Sequence, residues 1–353
     1  MWARESPLHP QGVVASGRES DTMAPVRDGL LPYLRCPLCR GSLSLATDGR
    51  DGPHVMRGHL LCTTCRRDYP IVEGVPRLLA RELPPDMAQT ARNFGQSWRM
   101  WSQIHDERYR WQFLRWMQPL QPADFADRLV LDMGCGKGRH LRVVSQFGAR
   151  EVIGVDLSEA VDVAFANTRD LDHVHVVQGD IFQMPVVRDF ALAFSIGVIH
   201  HTPDPARAFA VLADHVQPGG TVACWVYGRE NNGWIVNVVD PVRIGVTSHL
   251  PPRAVRALSF GLTSVLFAGI GLVYRPLGKL GIKPFYADYM LYLGDLGFAE
   301  THSIVYDHLI APTAVYLPRA EVERWFDTAG ITARSLTWVQ NVSWAGVGRK
   351  PSA

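Results

Sequence analysis

Leu129-Val-Leu-Asp-Met-Gly-Cys-Gly-Lys-Gly-Arg-His-Leu141 is the stretch from which the rest of the chain is read. A short apolar run carrying one acid, Asp132, passes straight into Gly134, Gly136 and Gly138, and a helix-like segment follows. This predicts a buried strand, a tight glycine turn and the first turn of a helix. Glycine at alternate positions lets backbone approach a ligand where a Cβ would collide. The turn by itself is a common corner, and the third position of the nicotinamide-type GxGxxG pattern is filled here by Arg139.

Downstream segments give the turn its meaning. Glu151-Val-Ile-Gly-Val-Asp156 reads as a second strand ending in an acid, about 20 residues beyond the glycines, where a carboxylate suits the two hydroxyls of a ribose. Val174–Ile181 carries Asp180 just past a third strand, and Phe190–Gly197 is a fourth strand with Ser195 near its end. Gln217-Pro-Gly-Gly220 then leads into a fifth strand ending at Tyr227. Strands alternating with helical segments such as 139–148 and 160–169 predict a parallel sheet with helices on both faces, its ligands at the carboxyl edge.

The ordered set resembles class I S-adenosylmethionine-dependent methyltransferases of the type-11, quinone-methyltransferase-like branch, over residues ~94–228 and ~319–350. The implied fold is α/β: a Rossmann-like, doubly wound sheet of seven strands. The resemblance implies S-adenosylmethionine as cofactor, with Asp132, Gly134 and Gly136 at its methionine end and Asp156 on the ribose. Leu157 would pack on adenine, Asp180 would take its amino group, and Ile181 would stack beside it. Cys135 reads as a small residue tolerated in the turn rather than a nucleophile, and Ser195 completes the cofactor set.

The 353 residues exceed one ordinary domain. A hydrophobic share of 47% is enough for a sizeable core, and a net charge of +2 gives no global sign of nucleic acid. Residues 1–28 lack an apolar run and read as a disordered tail, with Met23 a candidate start. Six cysteines without a secretion signal point to a reducing cytoplasm and to metal ligation.

Residues 29–80 carry the second strong signal. Cys36-Pro-Leu-Cys39 and Cys62-Thr-Thr-Cys65 are CxxC knuckles with 22 residues between them, the spacing of a zinc ribbon. Four thiolates close a tetrahedral Zn2+ site and leave no position for substrate, so the metal is structural. With the Tyr69-Pro-Ile tail, the segment resembles the zinc-ribbon family of the small activator subunit of tRNA methyltransferases. His54 and His59 are expected to be solvated loop residues rather than competing ligands.

Residues 81–128 read as a polar linker and an aromatic helical cap. Phe94 and Trp98 resemble a segment that folds over the cofactor in this branch, and packing onto the sheet is the equal alternative; Trp111 to Trp116 read as packing. The core spans 129–228. In Ile199-His200-His201-Thr, His200 is the candidate general base and His201 a loop-fixing residue. Residues 229–318 are an insertion of ~90 residues, placed as the substrate lid, and 319–350 complete the core. Late in the lid, Asp307 and His308 are the candidate acceptor-side pair.

Within the lid, Ala257–Tyr274 runs without a charge, while 241–287 holds Arg243, Arg253, Arg256, Arg275, Lys279 and Lys283 and no acid. A single span is unsuited to an insertion whose two ends join one sheet. Two placements remain open: a helix buried in the lid or a dimer interface, or one lying in the membrane interface against anionic headgroups.

The expected function is in-line methyl transfer to a small, amphipathic or lipidic acceptor at O, N or C, in the cytoplasm or at the inner face of the membrane. Nucleic acid is expected not to be the partner. The net charge is small, and Ser195-Ile-Gly-Val replaces the Asn/Asp-Pro-Pro-Tyr/Phe motif of amino-methylating nucleic-acid enzymes. An RNA base methyltransferase docking through its ribbon is the alternative, and a non-catalytic partner protein the second.

Overall fold

The computed structural model describes residues 27–311 and 313–352; the expected tail and Met23 lie outside them, but for residues 27 and 28. The five core strands form where the apolar runs predict them: β5 (Leu129–Met133), β6 (Glu151–Asp156), β7 (Val174–Gly179), β8 (Phe190–Ile196) and β9 (Val216–Tyr227). The later strands β10 (Ala333–Val339) and β11 (Ser343–Arg349) form a hairpin at the far side, β11 running antiparallel to β9. The core order is β7-β6-β5-β8-β9-β11-β10. Chain order reverses at β5, whose two neighbours are β6 and β8, so the cleft opens at the carboxyl ends of these strands.

Strands β1 (Leu43–Asp51), β2 (His54–Cys62), β3 (Asp68–Val72) and β4 (Val75–Leu78) build the ribbon. The sequence implies a ribbon that merely precedes the core. Instead, β4 pairs parallel with β7, Arg77 opposite Gln178 and Leu78 opposite Gly179, making one sheet of 11 strands. Two side-chain contacts strengthen the join. Arg77 forms an ion pair with Asp162, and Arg40 donates to the carbonyls of Met184 and Val186. His54 and His59 both sit on β2 rather than in a loop. His54 is buried against the Arg169 carbonyl at 3.1 Å, and His59 faces Asp68 at 2.8 Å.

The expected polar linker is already helical from Pro85. The Pro85–Met100 helix carries Phe94 and Trp98, and the Asp106–Trp116 helix packs Tyr109 and Phe113 into the core. Trp116 stacks on Trp225 with centroids 4.1 Å apart, in keeping with the packing role.

The insertion leaves after β9 and returns where Leu317 bridges to Gly228. Its largest element is the Pro252–Lys279 helix, followed by Ala287–Leu296 and Phe298–Ile310. A helix buried in the lid is not what forms, since only 17% of the apolar window of 252–279 is buried. Val255, Ser259, Thr263 and Ile270 face inward, and these positions recur at helical spacing along one narrow stripe.

Candidate active site and metal centre

A cavity of about 280 Å³ opens at the carboxyl edge of β5, β6 and β8. On one side lie Gly134, Cys135, Gly136, Asp156, Leu157 and Ile181. Gly134 has φ +92°, and a Cβ there would sit 2.3 Å from the Val198 side chain. At Gly136, φ is +51° and a Cβ would lie 3.1 Å from Trp98 Nε1. Any larger residue would therefore both strain the turn and fill the cradle.

Asp156 is held by its own loop. Its Oδ2 accepts from the Gly136 N–H at 2.9 Å, and Oδ1 accepts from the Ser158 N–H at 2.8 Å and the Ser158 hydroxyl at 2.7 Å. Burial raises its pKa, opposed by these three hydrogen bonds. A carboxylate offers about four acceptor sites, so capacity remains for a ligand hydroxyl. Asp180 also lines the cavity, with Oδ1 accepting from the Phe182 N–H at 2.9 Å.

Two expected cofactor residues do not line the cavity. Ser195 is fully buried, and its hydroxyl donates to the Met133 carbonyl at 2.7 Å, tying β8 to the end of β5. Asp132 lies under the turn, with neither oxygen hydrogen-bonded among the described residues. Burial, then the charge of Asp156, pushes its carboxyl well above the usual range. Phe94 and Trp98 do line the cavity, Phe94 5.1 Å from the His201 ring and Trp98 beneath the Arg139 guanidinium at 5.2 Å.

The opposite wall brings together His201, Tyr227, Asp307 and His308. Of the histidine pair, the expected base His200 is fully buried, its ring tilted against Tyr227 with centroids 3.9 Å apart, and does not line the cavity. The turn Ile199–His201 sends its neighbour there instead. His201 Nδ1 lies 2.6 Å from the Thr313 carbonyl, so Nδ1 carries the proton and Nε2 keeps its lone pair. Burial pulls the His201 and His308 pKa values down to about 4, leaving both rings neutral near pH 7. The structure thus puts His201 rather than His200 on the cavity wall, because the phase of a one-turn helix is not legible from residue type.

Asp307 accepts from the Ser97 hydroxyl at 2.6 Å, which joins the lid to the Pro85–Met100 helix. Burial pushes the Asp307 pKa up to about 7. An acid raised in the folded state holds a proton that the unfolded chain has already released. Stability is therefore lost as pH rises from about 4 towards 7. Asp307→Asn is expected to flatten that part of a melting-temperature profile of the ligand-free protein by on the order of a few degrees. A wild-type and a mutant profile that run parallel from pH 4 to 7 would contradict it.

In the ribbon, the four Sγ atoms of Cys36, Cys39, Cys62 and Cys65 lie within 4.8 Å of one another. The close pairs are Cys36–Cys65 at 3.6 Å and Cys39–Cys62 at 3.4 Å. A tetrahedral zinc ion with Zn–S bonds of about 2.3 Å needs sulfurs roughly 3.8 Å apart, so the four residues fit a closed structural site. His54 and His59 are engaged elsewhere, so neither competes with the four cysteines.

The sheet order, the glycine turn and Asp156 together define a class I S-adenosylmethionine-dependent methyltransferase. Residues 131–224 match the type-11 methyltransferase domain family and residues 27–74 the Trm112p-like protein family, so the chain joins both modules in one polypeptide. One curated relative is the tRNA U34 carboxymethyltransferase of Vibrio cholerae, 34% identical over 114 residues, covering 31% of this chain and 35% of the relative. That of Psychromonas ingrahamii is 30% identical over 173 residues, covering 44% and 52%. The chain thus spans about a third to a half of the length of the curated relatives it matches. Among solved structures, the complex of the Haloferax volcanii Trm112 methyltransferase activator with a methyltransferase aligns at TM-score 0.41 and 18% identity, over 77% of this chain and 100% of that chain.

These relatives overturn the expectation of a small or lipidic acceptor with nucleic acid excluded, because the named substrate of the matching enzymes is tRNA. Net charge misled for a physical reason. It averages over the whole surface, whereas phosphate contacts depend on local clusters.

Proposed function

We propose that this chain modifies tRNA, transferring the methyl-type group of an S-adenosylmethionine-class donor to a nucleoside held in the cavity. The observation that carries the proposal is the likeness, at 30–34% identity, to enzymes named for action on tRNA U34. The cavity supports it: Phe94, Trp98, Tyr227, Tyr289 and Tyr292 give it an aromatic lining against which an extruded base can pack. Arg57, Arg66 and Arg67 are exposed on the ribbon and supply cations for a phosphate backbone. On this reading the enzyme works in the cytoplasm, where tRNA is met, and any finer placement at the membrane rests on the 252–279 helix.

S-adenosylmethionine, when bound, supplies a methyl group already activated on a sulfonium. The protein's share is alignment, exclusion of water and a place for the proton. Asp156 would accept the ribose hydroxyls, Leu157 and Ile181 would pack on adenine, and Asp180 would take its amino group. His201, neutral and with Nε2 unprotonated, would receive a proton from the acceptor, while Asp307 and His308 would orient that acceptor. On this reading, His201→Ala lowers turnover by about 100-fold and leaves donor binding unchanged; equal turnover in the variant would remove the assignment.

The test of the function is incubation of the purified full chain with donor and undermodified total tRNA, followed by mass spectrometry of the digested nucleosides for methyl and carboxymethyl products alike. Appearance of one modified nucleoside, absent with Asp156→Ala, is expected. Labelling of small molecules but never of tRNA would refute it.

A further inference from the structure

The Pro252–Lys279 helix presents its side chains in the reverse of the usual sense. Its inward stripe is partly polar: Ser259 and Thr263 are fully buried. The Ser259 hydroxyl lies 2.8 Å from His302 Nε2, and the Thr263 hydroxyl donates to the Ser259 carbonyl at 2.7 Å. Outward stand Leu258, Phe260, Leu262, Val265 and Leu272, with Val265 74% and Leu272 79% exposed. Just beyond the helix, Leu280 is 73% exposed. In water this arrangement is unfavourable along the whole helix, and a patch of this extent marks a surface that is covered in use.

We infer that this face is a docking surface for an anionic lipid bilayer, lying in the interface rather than crossing it. Charge supports the choice of occupant. Arg253 and Arg256 stand at one end of the helix and Arg275 and Lys279 at the other, and 241–287 contains no acid. Arg275 reaches Asp295 at 3.7 Å, whereas Arg253, Arg256 and Lys279 form no ion pair among the described residues. Long cationic side chains at both ends of an apolar face can lie along it and reach headgroups.

The C-terminal end also carries interfacial aromatics. The Tyr274 hydroxyl donates to the Phe285 carbonyl at 3.2 Å, and the Tyr286 ring is 5.7 Å from Trp234 and 4.7 Å from Phe285. Such rings concentrate at the level of headgroups.

The helix is about 42 Å long at 1.5 Å per residue, more than a hydrocarbon core requires. Yet it is held lengthwise against the Phe298–Ile310 helix, with Phe260 and Phe267 each packed on Phe298 at 5.4 and 5.3 Å. Both ends of the insertion return to one sheet. Burial of one face on protein leaves the other to lie flat on lipid.

Two other occupants fit less well. A second copy meeting this face across a two-fold axis would set the same cations against each other without an acid from 241–287 to offset them. RNA would need aromatic platforms along the middle of the face, where the most exposed side chains, Val265 and Leu272, are aliphatic.

The test is flotation of the full chain with phosphatidylcholine vesicles, with and without phosphatidylglycerol, at low and high salt. The wild type is expected to float with anionic vesicles and to be released by salt. V265E/L272E should bind at least about tenfold more weakly with melting temperature, zinc content and donor affinity unchanged. R253Q/R256Q/K279Q should retain only the binding seen on phosphatidylcholine alone. Three outcomes would overturn the inference. In the first, the wild type floats with neither vesicle. In the second, V265E/L272E splits a dimer in sedimentation equilibrium while flotation persists. In the third, the same variant weakens tRNA binding without altering flotation. The first two do not depend on the acceptor being tRNA, so this inference and the proposed function can fail separately.

Discussion

Asp156→Ala is expected to weaken binding of S-adenosylmethionine by at least about 100-fold in calorimetry, while the protein still folds. The carboxylate does two things at once. It offers acceptor capacity to a ribose, and it holds the Gly136 N–H and both donors of Ser158 at 2.7–2.9 Å. Alanine leaves the N–H groups of Gly136 and Ser158 unpaired and removes the anchor of the glycine turn, so geometry and ligand contact are lost together. Asp156→Asn separates the two effects. Its side-chain oxygen can still accept from Ser158, whereas its NH2 faces the Gly136 N–H donor to donor. An intermediate loss is therefore expected for Asn, and an affinity in the alanine variant within a few-fold of wild type would exclude Asp156 from the donor site.

Removing the metal should have the larger effect on stability. Cys62→Ser, or prolonged chelation, is expected to abolish stoichiometric zinc and to unfold the ribbon, since structural zinc supplies on the order of 10 kcal/mol in small sites. Cys62 and Cys36 are buried in the same apolar cluster as Leu60, Tyr69 and Ile71, and that cluster runs on into Leu131 and Ile153 of the donor domain, so disruption of the metal site reaches a core that the two modules share. The loss should spread past the ribbon, because β4 is hydrogen-bonded to β7 of the donor domain and Arg77 is paired with Asp162. Scanning calorimetry with parallel zinc analysis checks it. A metal-free protein melting as the wild type does would show that the four thiols need no ion.

Local patterns made much of this legible. The apolar runs ending in Asp132 and Asp156 became adjacent strands because strand, turn and helix are specified within a dozen residues. Four cysteines in two knuckles located the metal site for the same reason. What escaped depends on phase or on long range. Whether His200 or His201 reaches the cavity turns on a single 3-10 turn. Ser195 at a strand end gives no hint that its hydroxyl is consumed by Met133 across the sheet. The 257–274 run showed its apolarity but not its direction; the signal that could have told was Ser259 and Thr263, four apart on an otherwise apolar helix. The acceptor escaped because the methyl donor carries the activation, which leaves acceptor choice to a surface of no fixed motif.

The parallel pairing of β4 with β7 has a consequence for solubility. Without it, β7 would be the terminal strand of the donor sheet, with its backbone N–H and C=O groups open to any passing chain. The ribbon occupies that row, and its own outer strand, β1, ends the sheet with Asp48, Arg50 and Asp51, charges that discourage another strand from adding. A small metal-bound module thus serves as an intramolecular stopper. A core expressed from residue 81 onward is expected to precipitate by strand-to-strand association even where its own hydrophobic packing is complete.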